Sequence, residues 1–146
     1  MATYKKPTKR DAELLLQVMR TFSTPQMEQA MTWFMKDFDA KNYKDYKEFK
    51  AKYPEGSQEH TNLSRVLSSF EVEGVLVSHG LLNENLYFDT SGIGFVWDRL
   101  APVVASWRKE VSPMLWENAV WLAERQKKWS KDVWKPNLKW KLKAKQ

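Results

Sequence analysis

From Asp11 to Phe22 the chain repeats apolar side chains at helical spacing. Leu14, Leu15, Val18, Met19 and Phe22 share one broad face, and Glu13, Gln17 and Arg20 lie opposite. Ser23, Thr24 and Pro25 then read as a second helix start, because a hydroxyl can cap free N–H groups and proline is harmless in a first turn. Met27, Ala30, Met31, Phe34 and Phe38 make the next stripe. Trp33 falls off it, either as a contact to a neighbouring element or as an exposed anchor. Asp39 to Asn42 interrupts the pattern, and a short continuation places Tyr43, Tyr46, Phe49 and Tyr53 together. Pro54 and Gly56 mark a turn.

A third, longer helix is predicted from Ser57 to His79, with Leu63, Val66, Leu67, Phe70, Gly74 and Val77 as its seam and Gly80 at its end. From Val72 onward apolar residues occur on every side, which predicts a buried second half. Leu81 to Gly92 has no clear period and room for a short helical turn. A fourth helix follows from about Ser91, striped by Val96, Leu100, Val103, Val104 and Trp107 and kinked at Pro102. The last is predicted to start with Ser112 as N-cap and Pro113 at its first position. Its stripe is Leu115, Ala119, Leu122, Trp129 and Val133, and Pro136 ends it. These periods predict an all-α fold: a single-domain antiparallel bundle of about five helices over residues 1–134, with a basic extended tail over 135–146.

Composition narrows the chemistry. The 146 residues include no cysteine, which excludes disulfides, thiolate nucleophiles and cysteine-held metals. No apolar run reaches the ~18–20 residues of a membrane span. The start lacks the apolar segment of a signal peptide, and lipid-anchoring motifs are missing. The expectation is a soluble, cytoplasmic protein. The net charge of +6 is concentrated at one end: Lys127 to Gln146 holds eight lysines and one acid, Asp132.

In the tail, Leu138, Trp140 and Leu142 alternate with Lys139, Lys141 and Lys143, a period of two that suits an extended segment better than an amphipathic helix. Three uses stay open. The tail can lie in a groove of its own bundle, dock on another protein, or bind nucleic acid or an anionic membrane surface through charge, with Trp140 stacking on a base.

His60 and His79 are the only histidines, and neither follows a glutamate by three residues, so no metal site or cofactor is expected. Phosphate-binding and nucleophile motifs are missing as well. Glu71 and Glu73 border the seam of the third helix, and Arg99 and Arg108 flank that of the fourth. Their simplest role is an interhelical ion pair such as Glu71–Arg108; the alternative is a polar pocket that includes Tyr87. Trp107, Trp116 and Trp129 read as core. Trp33, Trp121 and Trp134, with Trp140 and the tail lysines, are candidate interface residues, since tryptophan is enriched in binding hot spots.

The segments "SRVLSSFEVEGVLVSHGLLNENLYFD", "VWDRLAPVVASWRKEV" and "LWENAVWLAER" resemble the core of the bacterial domain of unknown function 4760 family. The matching positions are Phe70, Glu71, Gly74, Trp97, Leu100, Pro102, Arg108, Trp116 and Glu117, roughly in the second half of the chain. The resemblance implies an all-helical domain, often attached to a membrane helix, with no assigned activity. Helical periodicity places Glu117 toward solvent. Together these readings predict a non-catalytic protein-interaction or self-associating module. Tail-mediated binding to nucleic acid or membrane is the alternative, and an enzyme built around Glu71 and Arg108 is a further one.

Overall fold

A computed structural model describes residues 5–90 and 92–134. The tail, including Trp140, Lys139, Lys141 and Lys143, lies outside the described residues, as does Ser91. Every regular element among the described residues is helical.

Helix α1 (Lys9–Phe22) begins with a reciprocal cap. Asp11 N–H donates to Thr8 Oγ1 (3.2 Å) and Thr8 N–H donates to Asp11 Oδ2 (2.7 Å). That bond to the Thr8 backbone holds the Asp11 carboxyl below its ordinary value. Helix α2 (Pro25–Trp33) starts under a Thr24 cap, runs through a π-helical segment (Phe34–Phe38), and closes with Asp39–Lys41 at a left-handed Asn42. Phe34 and Phe38 are fully buried in the wide turn and stack at 5.0 Å. Helix α3 (Tyr46–Lys52) is capped by Asp45, whose Oδ1 accepts from Glu48 N–H at 2.8 Å.

After the Pro54–Ser57 turn comes α4 (Gln58–Ser78), capped by Ser57. It stops where Gly80 takes φ +68°, so that Leu81 N–H can bond back to Leu76 carbonyl at 2.9 Å. Helix α5 (Glu84–Thr90) follows, with Asn83 Oδ1 accepting from Leu86 N–H at 3.1 Å. A 3₁₀ turn (Ile93–Phe95) leads into α6 (Trp97–Glu110), which carries Pro102 in its interior. The chain ends in α7 (Glu117–Trp129) and a second π-helical segment (Ser130–Trp134).

The order of packing is simple. Helix α4 lies between α2 and α7, α3 packs on α6, and α1 sits against α5. Aromatic rings fill the junction of α2, α3 and α4: Trp33, Phe38, Tyr43, Phe49 and Tyr53 meet edge to face or tilted. Tyr46 stacks flat on Trp107 at 4.4 Å and joins α3 to α6. Its hydroxyl sits 2.9 Å from His60 Nε2, in contact with α4. Burial pushes the Tyr46 hydroxyl up to about 12 and lowers the His60 imidazole.

The all-helical architecture is as predicted, but the described residues form seven α-helices where about five were expected. The two extra ones, α3 and α5, are seven residues each and fall where a short continuation of the second helix and a short helical turn were expected; each is a helix of its own. Two further expectations need correction. Val72 and Val75 are 46% and 36% exposed, so the second half of α4 is not buried all round. Residues 112–116 form turns rather than the start of the last helix. Ser112 Oγ does accept from Met114 N–H (3.2 Å), yet the helix begins only at Glu117, after a left-handed Trp116.

Candidate functional site

Glu71, Glu73, Arg99 and Arg108 all lie where helices meet, but in separate arrangements. Glu71 reaches from α4 to the start of α7. Its Oε2 accepts from Ala119 N–H (2.9 Å) and its Oε1 from Asn118 Nδ2 (2.8 Å). A helix N-terminus presents unpaired N–H groups and partial positive charge, so a carboxylate from a neighbouring helix can serve as its cap. Three residues on, Gly74 makes the approach sterically possible. A Cβ at this position would lie 2.7 Å from the Asn118 carbonyl carbon, inside van der Waals contact.

Arg108 serves the same junction from α6. Its Nε (3.0 Å) and Nη2 both donate to the Pro113 carbonyl and hold the turn that precedes α7. Trp116 completes that turn at φ +56°, a region that costs a bulky L-residue about 1–2 kcal/mol. Its ring is anchored against Trp107 at 5.8 Å. The expected Glu71–Arg108 ion pair is therefore replaced by two hydrogen-bonding arrangements that fix the same helix start. Glu117 points to solvent, as its periodicity suggested.

Glu73 faces a different neighbour. Tyr87 OH, on α5, donates to Glu73 Oε2, and the acid is partly buried between the two helices. Desolvation pushes its carboxyl up to about 7, against the lowering effect of the tyrosine bond. Arg99, on α6, pairs with Asp39 at the end of α2 (2.9 Å).

The tryptophans divide. Trp107 and Trp129 are buried, and Trp116 packs on the core. Trp33 turns inward to the aromatic junction, with one side on a shallow depression shared with Pro25, Glu28 and Lys36. Trp121 is 38% exposed on α7, beside Val77 and Ser78 of α4. Trp134 ends the last helical segment.

Several polar residues that the sequence did not single out also join helices. Arg125 and Glu84 make a two-pronged ion pair, with both bonds at 2.7 Å, between α7 and α5. Buried Asn85 accepts from Trp129 Nε1 (2.7 Å) and donates to the Lys5 carbonyl (2.8 Å), which ties the N-terminal segment to α5. Gln126 fills a saddle left by Gly92 and Gly94 and accepts from Gly94 N–H at 2.7 Å. No signal short of the fold marks such partners, because each pair is more than 30 residues apart in sequence.

A cleft of about 580 Å³ opens beside Gln126, lined by Phe88, Thr90, Phe95, Lys127, Trp129 and Ser130 among others. No cluster of three or more His, Cys, Asp or Glu suited to a metal ion occurs among the described residues. No helix among them is long and apolar enough to cross a membrane.

The fold and its polar junctions define an all-helical domain whose singled-out charges hold helix ends and helix pairs. Its family is shown by sequence as well. Residues 7–129 match the family model "Domain of unknown function (DUF4760)", and the chain belongs to that family. The match takes in the first helices as well as the second half, where the resemblance lies. No curated protein and no solved structure matches the chain.

Proposed function

We propose that this chain is a non-catalytic helical module that works by binding protein, with a second copy of itself as the partner its surface suits best. The observation that carries this reading is Trp121, which stands 38% exposed on α7 beside Val77 and Ser78 of α4. Exposed tryptophan beside aliphatic side chains is the composition of a binding hot spot. Glu124 and Lys128 border Trp121 and carry opposite charges one helical turn apart. A twofold axis across such a patch would set each acid against the partner's base, as a self-complementary interface requires.

Sedimentation velocity over a concentration series tests the reading. Self-association that Trp121→Glu abolishes at unchanged melting temperature supports it; a chain that stays monomeric at every concentration removes it. A second reading, binding of nucleic acid or an anionic membrane surface, rests on the eight lysines between Lys127 and Gln146. It predicts binding that weakens steeply with salt and is lost on deletion of residues 135–146.

A further inference from the structure

Three hydrogen-bonding side chains line the cleft beside Gln126 from one helical surface. Ser130 lies four positions after Gln126 and three after Lys127, so it neighbours both, and all three border the cavity. Gln126 is only 8% exposed, and its Oε1 is already taken by Gly94 N–H at 2.7 Å. The other end of that amide, Nε2, meets no acceptor among the described residues. The Lys127 ammonium pairs with no carboxylate among them either. Asp89 also borders the cleft, but it has an interaction partner of its own. The row on the helix therefore offers an amide, an ammonium and a hydroxyl as donors.

Aromatic rings supply much of the remaining lining. Phe88 and Trp129 lie 5.5 Å apart, and the polar end of Trp129 is spent on Asn85 Oδ1 at 2.7 Å, so its ring offers only apolar surface here. Phe95 borders the same cavity from the 3₁₀ turn and is 84% exposed, so its ring is available to cover an occupant. The bond from Gly94 to Gln126, with the amide packed into the glycine saddle, holds that turn in place. Small-molecule pockets measure ~300–1,000 Å³ and pair an apolar lining with a few placed polar groups. At about 580 Å³ this cleft has that size and that make-up. Unmatched donors beside aromatic surface select a flat apolar body that ends in a negatively charged acceptor.

We propose that this cleft binds a small aromatic carboxylate, its ring held by Phe88, Phe95 and Trp129 and its carboxylate received by Gln126 Nε2, Lys127 Nζ and Ser130 Oγ. The site shares no residue with the surface around Trp121, so it stands whether or not the chain self-associates.

The probes that test it are 2-naphthoate and its neutral counterpart 2-naphthamide, each titrated into full-length ¹⁵N-labelled protein. Saturable shifts of the Gly94, Phe95, Lys127 and Ser130 amides are expected, with the acid bound about fivefold more tightly than the amide. Lys127→Gln should remove that preference, and Phe95→Ala should weaken both probes about fivefold. Both side chains are exposed, so neither change disturbs the interior. Shifts that do not saturate, or that centre on Trp121, would overturn the proposal. So would an unchanged preference for the acid in Lys127→Gln, or tighter binding of decanoate, an aliphatic acid, than of 2-naphthoate.

Discussion

Replacing Glu73 with glutamine should stabilise the protein at alkaline pH, although it removes a charged partner of Tyr87. Burial between α4 and α5 raises the Glu73 carboxyl from 4.5 to about 7, so the fold favours the protonated acid. A group whose folded value is raised binds more protons folded than unfolded between those two values. Its contribution is complete below about 4.5 and fades as pH rises through 7. At about 1.4 kcal/mol per pH unit of difference, the contribution shrinks by about 2 kcal/mol between pH 5.5 and 8.5. Glutamine keeps a carbonyl acceptor for the Tyr87 hydroxyl and does not titrate. Urea unfolding of the two proteins at several pH values isolates this group, because every other titration is common to both. Glu73→Gln should gain on the wild type by about 2 kcal/mol across that range. Parallel stability curves would refute the assignment of a buried, reluctantly ionised acid.

The other predictions concern the junctions. Gly74→Ala should cost about 3 kcal/mol in chemical unfolding, since overpacking against Asn118 outweighs the ~1 kcal/mol that alanine gains in an unobstructed helix. Glu71→Ala should cost about 2–3 kcal/mol by leaving the Ala119 N–H and the Asn118 amide without their acceptor, and Glu71→Gln less. His60→Gln tests a titration of opposite sense to Glu73. Burial lowers the imidazole from 6.5, so its stabilising contribution should fade as pH drops below that value, and the variant should lose this acid sensitivity. Arg125→Lys should lower the melting temperature slightly, a loss of about 0.5–1 kcal/mol, because a lysine cannot grip both Glu84 oxygens.

Long elements with complete punctuation were legible in the chain itself. Helix α4 has a serine cap, about four turns of regular seam and a terminal glycine, and it runs within one residue of its predicted span. Pro25 and Thr24 open α2 as their chemistry suggests. Local rules failed where a distant residue decides. Ser112 and Pro113 carry the marks of a helix start, yet the helix waits for Glu117, because the cap for its N–H groups comes from Glu71, 48 residues away from Ala119. Phe34 and Phe38 are buried as their shared stripe predicted, but the widening of that turn to a π-helix leaves no mark in a 3.6-residue period. Glu71 and Glu73 were singled out for their place beside an apolar seam, and both are half-buried. Their partners were not readable, because register between two helices depends on where Gly74 permits backbone contact.

The residues that carry the family resemblance can be assigned a physical task. Arg108 clamps the Pro113 carbonyl, Trp116 turns left-handed against Trp107, Glu71 accepts the Ala119 N–H in the first turn of α7, and Gly74 lets the two helices close. All four act on one point, the start of α7. That point sets the direction of the helix bearing Trp121 on its outer face and Trp129 in the cleft beneath Phe95. Substitutions at the junction should therefore weaken any function of the protein through loss of stability, and will look like binding-site mutations in an assay that measures function alone. Melting temperature separates the two cases: Glu71→Ala and Gly74→Ala should lower it together with binding, whereas Trp121→Glu should abolish association and leave it unchanged. If Glu71→Ala instead kept the wild-type melting temperature and lost only binding, the junction would itself be a recognition site, and its assignment as a structural hinge between α4, α6 and α7 would fall.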